Sequence, residues 1–174
     1  APDDLVVDNF ENWCVRVKKG KGGKRQLQRI LPDELELVKA VFDYLADENH
    51  LFSKEEMDNK IDLHHLRALR AQRMYQYYLS RIQNEKGYRE QLISEIKHTW
   101  EKDDDAREEN GYRPKRWKDC KVNGNYVLRG HNRELAMKSG LPVSYDRLAL
   151  LAVSIFRLAH WRHDVTVANY LLAI

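Results

Sequence analysis

Residues 144–160 read SYDRLALLAVSIFRLAH and form the most apolar stretch of the chain. Apolar side chains recur on all sides of a helix drawn through this stretch, which predicts a helix buried in the core. The stretch is too short to span a bilayer, and Arg157 interrupts it. Arg147 and Arg157 flank its apolar part and are candidates for contacts with phosphate groups.

Helical patterns extend to both sides of this segment. Residues 62–82 predict one long helix that mixes apolar and basic positions, so that one face belongs to the core and another to a site. Residues 87–101 predict an amphipathic helix, whereas the acidic and polar residues 102–111 are expected to form a loop. Residues 112–130 are expected to be irregular with a short hairpin, and residues 165–174 predict a last short helix.

The N-terminal part of the sequence has the pattern of a β-hairpin. Trp13–Lys18 alternates apolar and polar residues as a strand does, Gly20–Lys24 is rich in turn-forming glycine, and Leu27–Leu31 supplies a returning strand. Pro32 and the acidic residues after it then begin a helix. Together these patterns predict a mixed fold, mainly α, with a small antiparallel β-hairpin or sheet near the N-terminus.

Length and composition favour a globular chain of one domain. It has 174 residues, of which 43% are hydrophobic and 33% are charged, which argues against a disordered tail or a fibrous repeat. The acidic N-terminus lacks the pattern of a signal peptide. Cys14 and Cys120 are too few for a disulfide scaffold, which favours a reducing, cytoplasmic location.

Basic residues are segregated along the chain, although the formal net charge is only +3. Residues 16–29 contain seven Lys or Arg residues and no acid, and residues 113–121 form a second basic cluster. Acidic residues concentrate elsewhere, at Asp103–Asp105 and at Glu108-Glu109. Such segregation suits a surface that binds a polyanion, because each neutralised phosphate releases counterions.

Three short patterns carry reactive side chains. His64 and Arg67 are three residues apart on a predicted helix, so they project from one face, and an imidazole beside a guanidinium suits a phosphate oxygen. Leu158-Ala159-His160 is followed by Tyr170, ten residues after the histidine. Lys21 lies in the glycine-rich turn of the predicted hairpin.

In this order, the turn with Lys21, the His64-His65-Leu66-Arg67 motif, the Leu158-Ala159-His160 motif and Tyr170 resemble the catalytic domain of tyrosine recombinases, the integrases of phages and other mobile elements. The resemblance implies site-specific integration or excision of DNA through a 3′-phosphotyrosine intermediate. Tyr170 would be the nucleophile and Arg67 would bind the non-bridging oxygens. His64 and His160 would donate to those oxygens or remove the tyrosine proton, and Lys21 would protonate the leaving 5′ hydroxyl. Such a reaction needs no metal or other cofactor.

The resemblance also implies partners and a location. These are a double-stranded DNA recombination site, a homo-oligomer (a tetramer) on that DNA, and the cytoplasm of a bacterial cell. DNA contacts are expected from basic residues of the hairpin and of the second basic cluster, namely Lys18, Lys19, Lys24, Arg25, Arg116 and Lys118.

The chain departs from the family pattern at several points. Tyr170 lies one residue farther from His160 than in most members, and Trp161 would restore the usual spacing, since some members use tryptophan there. Ala159 replaces the usual glycine. The gap between the two histidine motifs is long and indicates an insertion over residues of about 80–140.

The family's first catalytic arginine has no counterpart in the chain. Asp3-Asp4-Leu5 resembles an element that follows this arginine, so the arginine is expected just before residue 1. The chain is therefore expected to be a single, partial catalytic domain over residues 1–174 that is inactive by itself.

Two other interpretations stay open at this stage. The first is a non-catalytic DNA-binding module that is derived from an integrase and has kept the basic hairpin. The second is a metal site built from His64, His65, His160 and His163, although no cysteine or carboxylate set with ligand spacing accompanies these histidines.

Overall fold

The computed structural model describes residues 2–18, 25–44, 62–158 and 160–172. Its strands are β1 (Leu5–Val7), β2 (Trp13–Val17), β3 (Gln26–Arg29), β4 (Asn125–Val127) and β5 (Ser144–Asp146). Its helices are α1 (Leu35–Tyr44), α2 (Leu63–Asn84), α3 (Tyr88–Glu109), α4 (Gly130–Lys138), α5 (Arg147–Phe156) and α6 (His163–Thr166), and a π-helical turn over Val167–Leu171 continues α6. The described residues are mainly helical with a small antiparallel sheet near the N-terminus, as the sequence predicted.

α5 lies at the centre of the hydrophobic core, since every residue from Leu148 to Phe156 is buried. α2, α3 and α6 pack around it. The predicted buried helix is thus confirmed in its middle, but it is shorter than expected at both ends, because β5 precedes it and it ends at Phe156. Asp146 sets its start, since the Asp146 carboxylate accepts hydrogen bonds from the backbone N–H groups of Leu148 and Ala149 at 2.9 and 3.0 Å.

β1, β2 and β3 form one antiparallel sheet in that order, so the two strands of the predicted hairpin are confirmed. Arg29 at the end of β3 is buried and ties the sheet to the helices. Its Nη1 donates to Glu95 of α3 at 2.7 Å, and its Cζ lies 3.5 Å from the ring centroid of Phe156. The glycine-rich tip of the hairpin lies outside the described residues.

α2 confirms the predicted long helix, and α3 runs farther than predicted. Because α3 continues to Glu109, the loop expected over 102–111 is wrong. Asp103 and Asp104 in this part of α3 bind Lys115 and Arg116, which follow the helix. The Lys115 ammonium lies 2.7 Å from an Asp103 oxygen, and the Lys115 backbone N–H donates to Asp104 at 2.8 Å. These contacts give the charged turn of α3 the partners that a free loop would lack.

The region between α3 and α5 contains elements that the sequence patterns did not reveal. α4 was not predicted. β4 pairs with β5, which follows α4 in the sequence, instead of forming the local hairpin expected within 112–130. The last helix begins at His163 and ends in the π-helical turn. None of the described helices is long and apolar enough to cross a membrane.

Candidate active site

Tyr170 lies in the π-helical turn that follows α6, and its side chain is half-buried. The turn is anchored to the core by Val167 and Leu171, which are both buried. It is also bound to α2, since the Gln72 side-chain amide donates to the Tyr170 carbonyl oxygen at 3.3 Å. These contacts hold the tyrosine against the N-terminal half of α2.

Three basic side chains surround the ring of Tyr170. The ring centroid of His64 lies 5.6 Å from that of Tyr170, and the Cζ atom of Arg67 lies 5.8 Å from the same point. The ring of His160 lies 6.2 Å away on centroids and nearly parallel, at an interplanar angle of 27°. Four of the five side chains named from the sequence as catalytic are therefore together in space.

The start of α2 positions two of these side chains. Asp62 precedes the helix and accepts a hydrogen bond from the backbone N–H of His65 at 2.9 Å, which caps the first turn. One turn of helix then separates His64 from Arg67, so both emerge on the face turned to Tyr170. Both side chains are exposed.

The segment after α5 positions His160. Its backbone N–H donates to the Ser154 carbonyl oxygen at 3.0 Å, and its Nδ1 accepts a hydrogen bond from the backbone N–H of Arg162 at 3.4 Å. Because Nδ1 accepts, a neutral His160 carries its proton on Nε2, which makes Nε2 a hydrogen-bond donor. In the described structure this nitrogen is buried.

Trp161 points to a different set of partners. Its ring lies 4.8 Å from that of Trp100 on centroids, and the Lys115 Nζ lies 4.3 Å from its centroid. Of the two residues that could occupy the third motif position, His160 is therefore the one whose ring stacks with Tyr170. Trp161 joins this segment to α3 and to the residues that follow it.

The residues predicted to contact DNA are placed in part. Lys19 and Lys24 lie outside the described residues, as does Lys21, which was predicted to be catalytic. Lys18 is bound to Asp4 at 2.9 Å, so its charge is partly compensated. The remaining three, Arg25, Arg116 and Lys118, are exposed.

A group of arginines extends from Arg67 along the junction of α2 and α5. Arg157, the C-terminal cap of α5, is half-buried and donates from Nη1 to the side-chain oxygen of Gln28 in β3 at 2.6 Å. Burial, and then the charge of nearby Arg67, lower the pKa of Arg157. Burial, together with Arg157 and Arg73, lowers the pKa of Arg70 to about 10, so Arg70 is still protonated at neutral pH. Arg70 and Arg73 are compensated by Glu34 and Asp33, whereas neither Arg67 nor Arg157 forms an ion pair with an aspartate or a glutamate among the described residues.

Sequence reasoning missed the contribution of Gln72. Its hydrogen bond to the Tyr170 backbone joins residues 98 positions apart, and glutamine within a helix carries no local signal of such a contact. Arg157 was visible in the sequence as the charge that interrupts the apolar segment, but its hydrogen bond to Gln28, 129 positions away, was not.

The histidines do not gather as the metal-site interpretation requires. Within residues 62–158 and 160–172, where all four lie, no group of three or more His, Cys, Asp or Glu side chains is arranged to hold a metal ion. His163 instead stacks on Tyr126, with ring centroids 6.4 Å apart at 16°. Its pKa is lowered, first by burial and then by the charge of Arg147.

Comparison of the chain with protein-family models, with curated proteins and with solved structures gave no match. Neither the sequence nor the fold therefore assigns the chain to a family. An argument about its function has to start from the side chains around Tyr170 and from what their chemistry allows.

Proposed function

We propose that the protein is a tyrosine-type site-specific DNA recombinase, in which Tyr170 is the nucleophile. The observation that supports this most is the grouping of His64, Arg67 and His160 around the Tyr170 ring at centroid distances of 5.6 to 6.2 Å. Arg67 and His160 are 93 residues apart in the chain, so local sequence does not explain why both lie beside Tyr170. A tyrosine surrounded by an arginine and two imidazoles suits attack on a phosphodiester.

The reaction breaks and forms one bond at phosphorus in each step. The Tyr170 oxygen attacks the phosphorus atom, its proton passes to a neighbouring imidazole, and a 3′-phosphotyrosine forms. The bond from phosphorus to the 5′ oxygen breaks, and that oxygen takes a proton to leave as a hydroxyl, a role that the resemblance gives to Lys21. Attack by the 5′ hydroxyl of another strand reverses the sequence, so the bond energy is conserved and no nucleotide is hydrolysed.

The neighbours of Tyr170 supply what this chemistry needs. The transition state carries additional negative charge on the non-bridging oxygens, which Arg67 can bind through two parallel N–H donors. Because the His160 Nδ1 accepts from the Arg162 backbone, its donor is Nε2–H, which is buried and reaches the same oxygens only if the ring turns toward the substrate. His64 is exposed beside the Tyr170 ring, and a neutral imidazole is a base that can take the proton from Tyr170.

Covalent trapping tests the proposal. A mobile element carries its own recombination site, so the natural full-length protein is incubated with nicked duplexes that tile the DNA around its gene. In these duplexes the short leaving fragment diffuses away after cleavage. We expect a protein–DNA adduct, stable to denaturing electrophoresis, that Tyr170→Phe abolishes. Tyr44→Phe is the matched control, because Tyr44 is 83% exposed and distant from the motifs in sequence.

Two results would contradict the proposal. One is an adduct that survives Tyr170→Phe, which would assign the nucleophile to another residue. The other is the absence of any adduct across the tiled duplexes. If those duplexes are nevertheless bound in a gel-shift assay, the result would favour the non-catalytic DNA-binding module.

A further inference from the structure

The turn that carries Tyr170 is wider than an α-helical turn. The backbone N–H of Leu172 donates to the Val167 carbonyl oxygen at 3.0 Å, which is a span of five residues. At the start of the same helix the Thr166 N–H donates to the Arg162 carbonyl oxygen at 3.2 Å, the ordinary span of four. The helix therefore takes in one additional residue just where the tyrosine lies. Such π-helical turns are rare, and they frequently lie at functional sites.

The width of the turn is matched to the core beneath it. Val167, Leu171 and Leu172 are 1%, 5% and 7% exposed, so all three side chains are buried. In an α-helix Leu171 would share a face with Val167, because residues four apart do so, but Leu172 would turn away from that face. The additional residue brings Leu172 back over Val167, as the hydrogen bond between their backbones shows.

The same geometry decides the direction of Tyr170. Residues three apart share a face in an α-helix, so an α-helical turn would direct Tyr170 toward the buried side of Val167. More residues in the turn mean a smaller rotation for each of them, which moves Tyr170 off that face. Its ring is in fact half-buried and lies 5.6 Å from that of His64 and 6.2 Å from that of His160 on centroids.

A contact from α2 holds the widened turn at the tyrosine itself. The Gln72 side-chain amide donates to the Tyr170 carbonyl oxygen at 3.3 Å. The last carbonyl groups of a helix have no partner within the helix, so this amide satisfies one of them. An uncommon backbone arrangement persists only where its surroundings determine it, and here those surroundings are Gln72 and the buried leucines.

We infer that the π-helical turn is a positioning element, which keeps the Tyr170 ring beside His64 and His160 where an α-helical turn would not, and that Gln72 is the positioning residue that holds it. The inference rests on the proposed function for the reaction that Tyr170 performs. It adds that the placement of the nucleophile depends on one additional residue in this turn.

Deletion of Ala168, which is exposed, tests the turn in the natural full-length protein. Leu171 and Leu172 then follow Val167 by three and four positions, so an α-helical turn buries both and keeps the core contacts. We expect a melting temperature within about 4 °C of the wild type. Adduct formation should be about 100-fold slower, since a displacement of about 1 Å at a reacting group costs that much.

Gln72→Met tests the contact without changing the length of the chain. It keeps a long side chain and removes the N–H donor, and we expect adduct formation at saturating DNA to slow about 10-fold, as for one lost hydrogen bond. The affinity for DNA should stay within about 3-fold, because Gln72 contacts the turn and not the substrate. Gln76→Met is the matched control, since Gln76 is exposed one turn farther along α2, and it should leave both values unchanged.

Three results would overturn the inference. A deletion variant that forms the adduct within about 3-fold of the wild-type rate would show that an α-helical turn places the tyrosine equally well. A deletion variant that does not fold would show that the π-helical turn serves the core instead of the tyrosine. Equal losses of rate and DNA affinity in Gln72→Met would indicate a general structural role for Gln72.

Failure of the proposed function would look different, because the placement of Tyr170 can be measured without DNA. If the wild-type protein forms no adduct, the tyrosine chemistry is wrong, and the ring protons of the histidines are then followed by NMR in protein labelled at histidine. Tyr170→Leu identifies the signals that the tyrosine ring shifts, which are those of His64 and His160. Deletion of Ala168 should change the same signals. Signals that stay at their wild-type positions would overturn the positioning inference.

Discussion

Replacing Arg29 by methionine should destabilise the protein strongly. The side chain of Arg29 is only 5% exposed, and its guanidinium binds Glu95 at 2.7 Å and Asp8 at 2.9 Å. Methionine has a similar length and an apolar character, so it can still cover the ring of Phe156, against which the guanidinium lies. What the substitution removes is the positive charge between two acids.

The expected magnitude follows from the burial of Glu95. The side chain of Glu95 is 6% exposed, and Arg29 is its only ion-pair partner among the described residues, although Gln91 also donates to it at 2.9 Å. Removing one partner of a buried pair leaves an uncompensated charge and costs about 3–5 kcal/mol. Domains of this size unfold with about 5–15 kcal/mol, so the loss is a large fraction of the total.

Urea unfolding followed by circular dichroism at 222 nm measures the change in the free energy of unfolding. Thermal unfolding at the same wavelength measures the change in melting temperature. Each kcal/mol corresponds to about 2–4 °C of melting temperature for a chain of this length, so Arg29→Met should lower the melting temperature by roughly 6–20 °C. Arg73→Met is the control, because Arg73 is exposed, its partner Asp33 is exposed and Glu34 keeps Arg70 as a second partner, so the change should cost less than about 1 kcal/mol.

A double-mutant cycle shows whether the uncompensated charge is the cause. Arg29→Met combined with Glu95→Met replaces both charges by apolar groups and should recover most of the lost stability, because buried ion pairs contribute little net free energy over well-packed apolar residues. Asp8 does not block this recovery, since it still accepts hydrogen bonds from the backbone N–H groups of Phe10 and Asn12. The reasoning is refuted if Arg29→Met is as stable as the wild type, or if the double variant is no more stable than the single one.

Three further predictions concern pH, positioning and DNA contacts. Burial and Arg147 lower the pKa of His163 in the folded protein, so the protein loses stability as pH falls below the ordinary histidine pKa. His163→Gln should therefore flatten the curve of unfolding free energy against pH between pH 7.5 and 5, by no more than about 1.4 kcal/mol per pH unit. An equal slope in both proteins would exclude His163 as the cause. Trp161→Leu should lower the rate of adduct formation more than the affinity for DNA, because loss of the contact between Trp161 and Trp100 loosens the segment that positions His160. Equal losses in both measurements would indicate a general folding defect. Replacing Arg116 and Lys118 together by glutamine should reduce the salt slope of DNA binding by about 1.8, or two phosphate contacts, in a fluorescence anisotropy titration, and an unchanged slope would place both residues away from DNA.

Features that depend on near neighbours in sequence were predictable. The strand alternation around Trp13 and the returning strand led to β2 and β3, which pair as expected. The apolar segment led to α5, and the mixed pattern after Asp62 led to α2. In each case the hydrophobic period within a few residues is enough to choose between strand and helix.

The errors arose where a partner outside the local pattern decides the structure. Residues 102–109 are charged enough for a loop, but they continue α3 because Lys115 returns to bind Asp103 and Asp104. The start of the apolar segment is a strand because β4, which precedes α4 in the sequence, pairs with it. Neither contact leaves a periodic trace in the segment whose conformation it sets.

The sequence alone determined which side chains could perform phosphate chemistry and that His64 and Arg67 share one helical face, because helix geometry makes residues three apart neighbours. Only the tertiary structure decided that His160 rather than Trp161 stacks with Tyr170, and that His64 and Arg67 lie beside the same ring. These relations depend on the packing of α5 and the final turn against α2. Packing is a property of the whole core, and no short stretch of sequence encodes it.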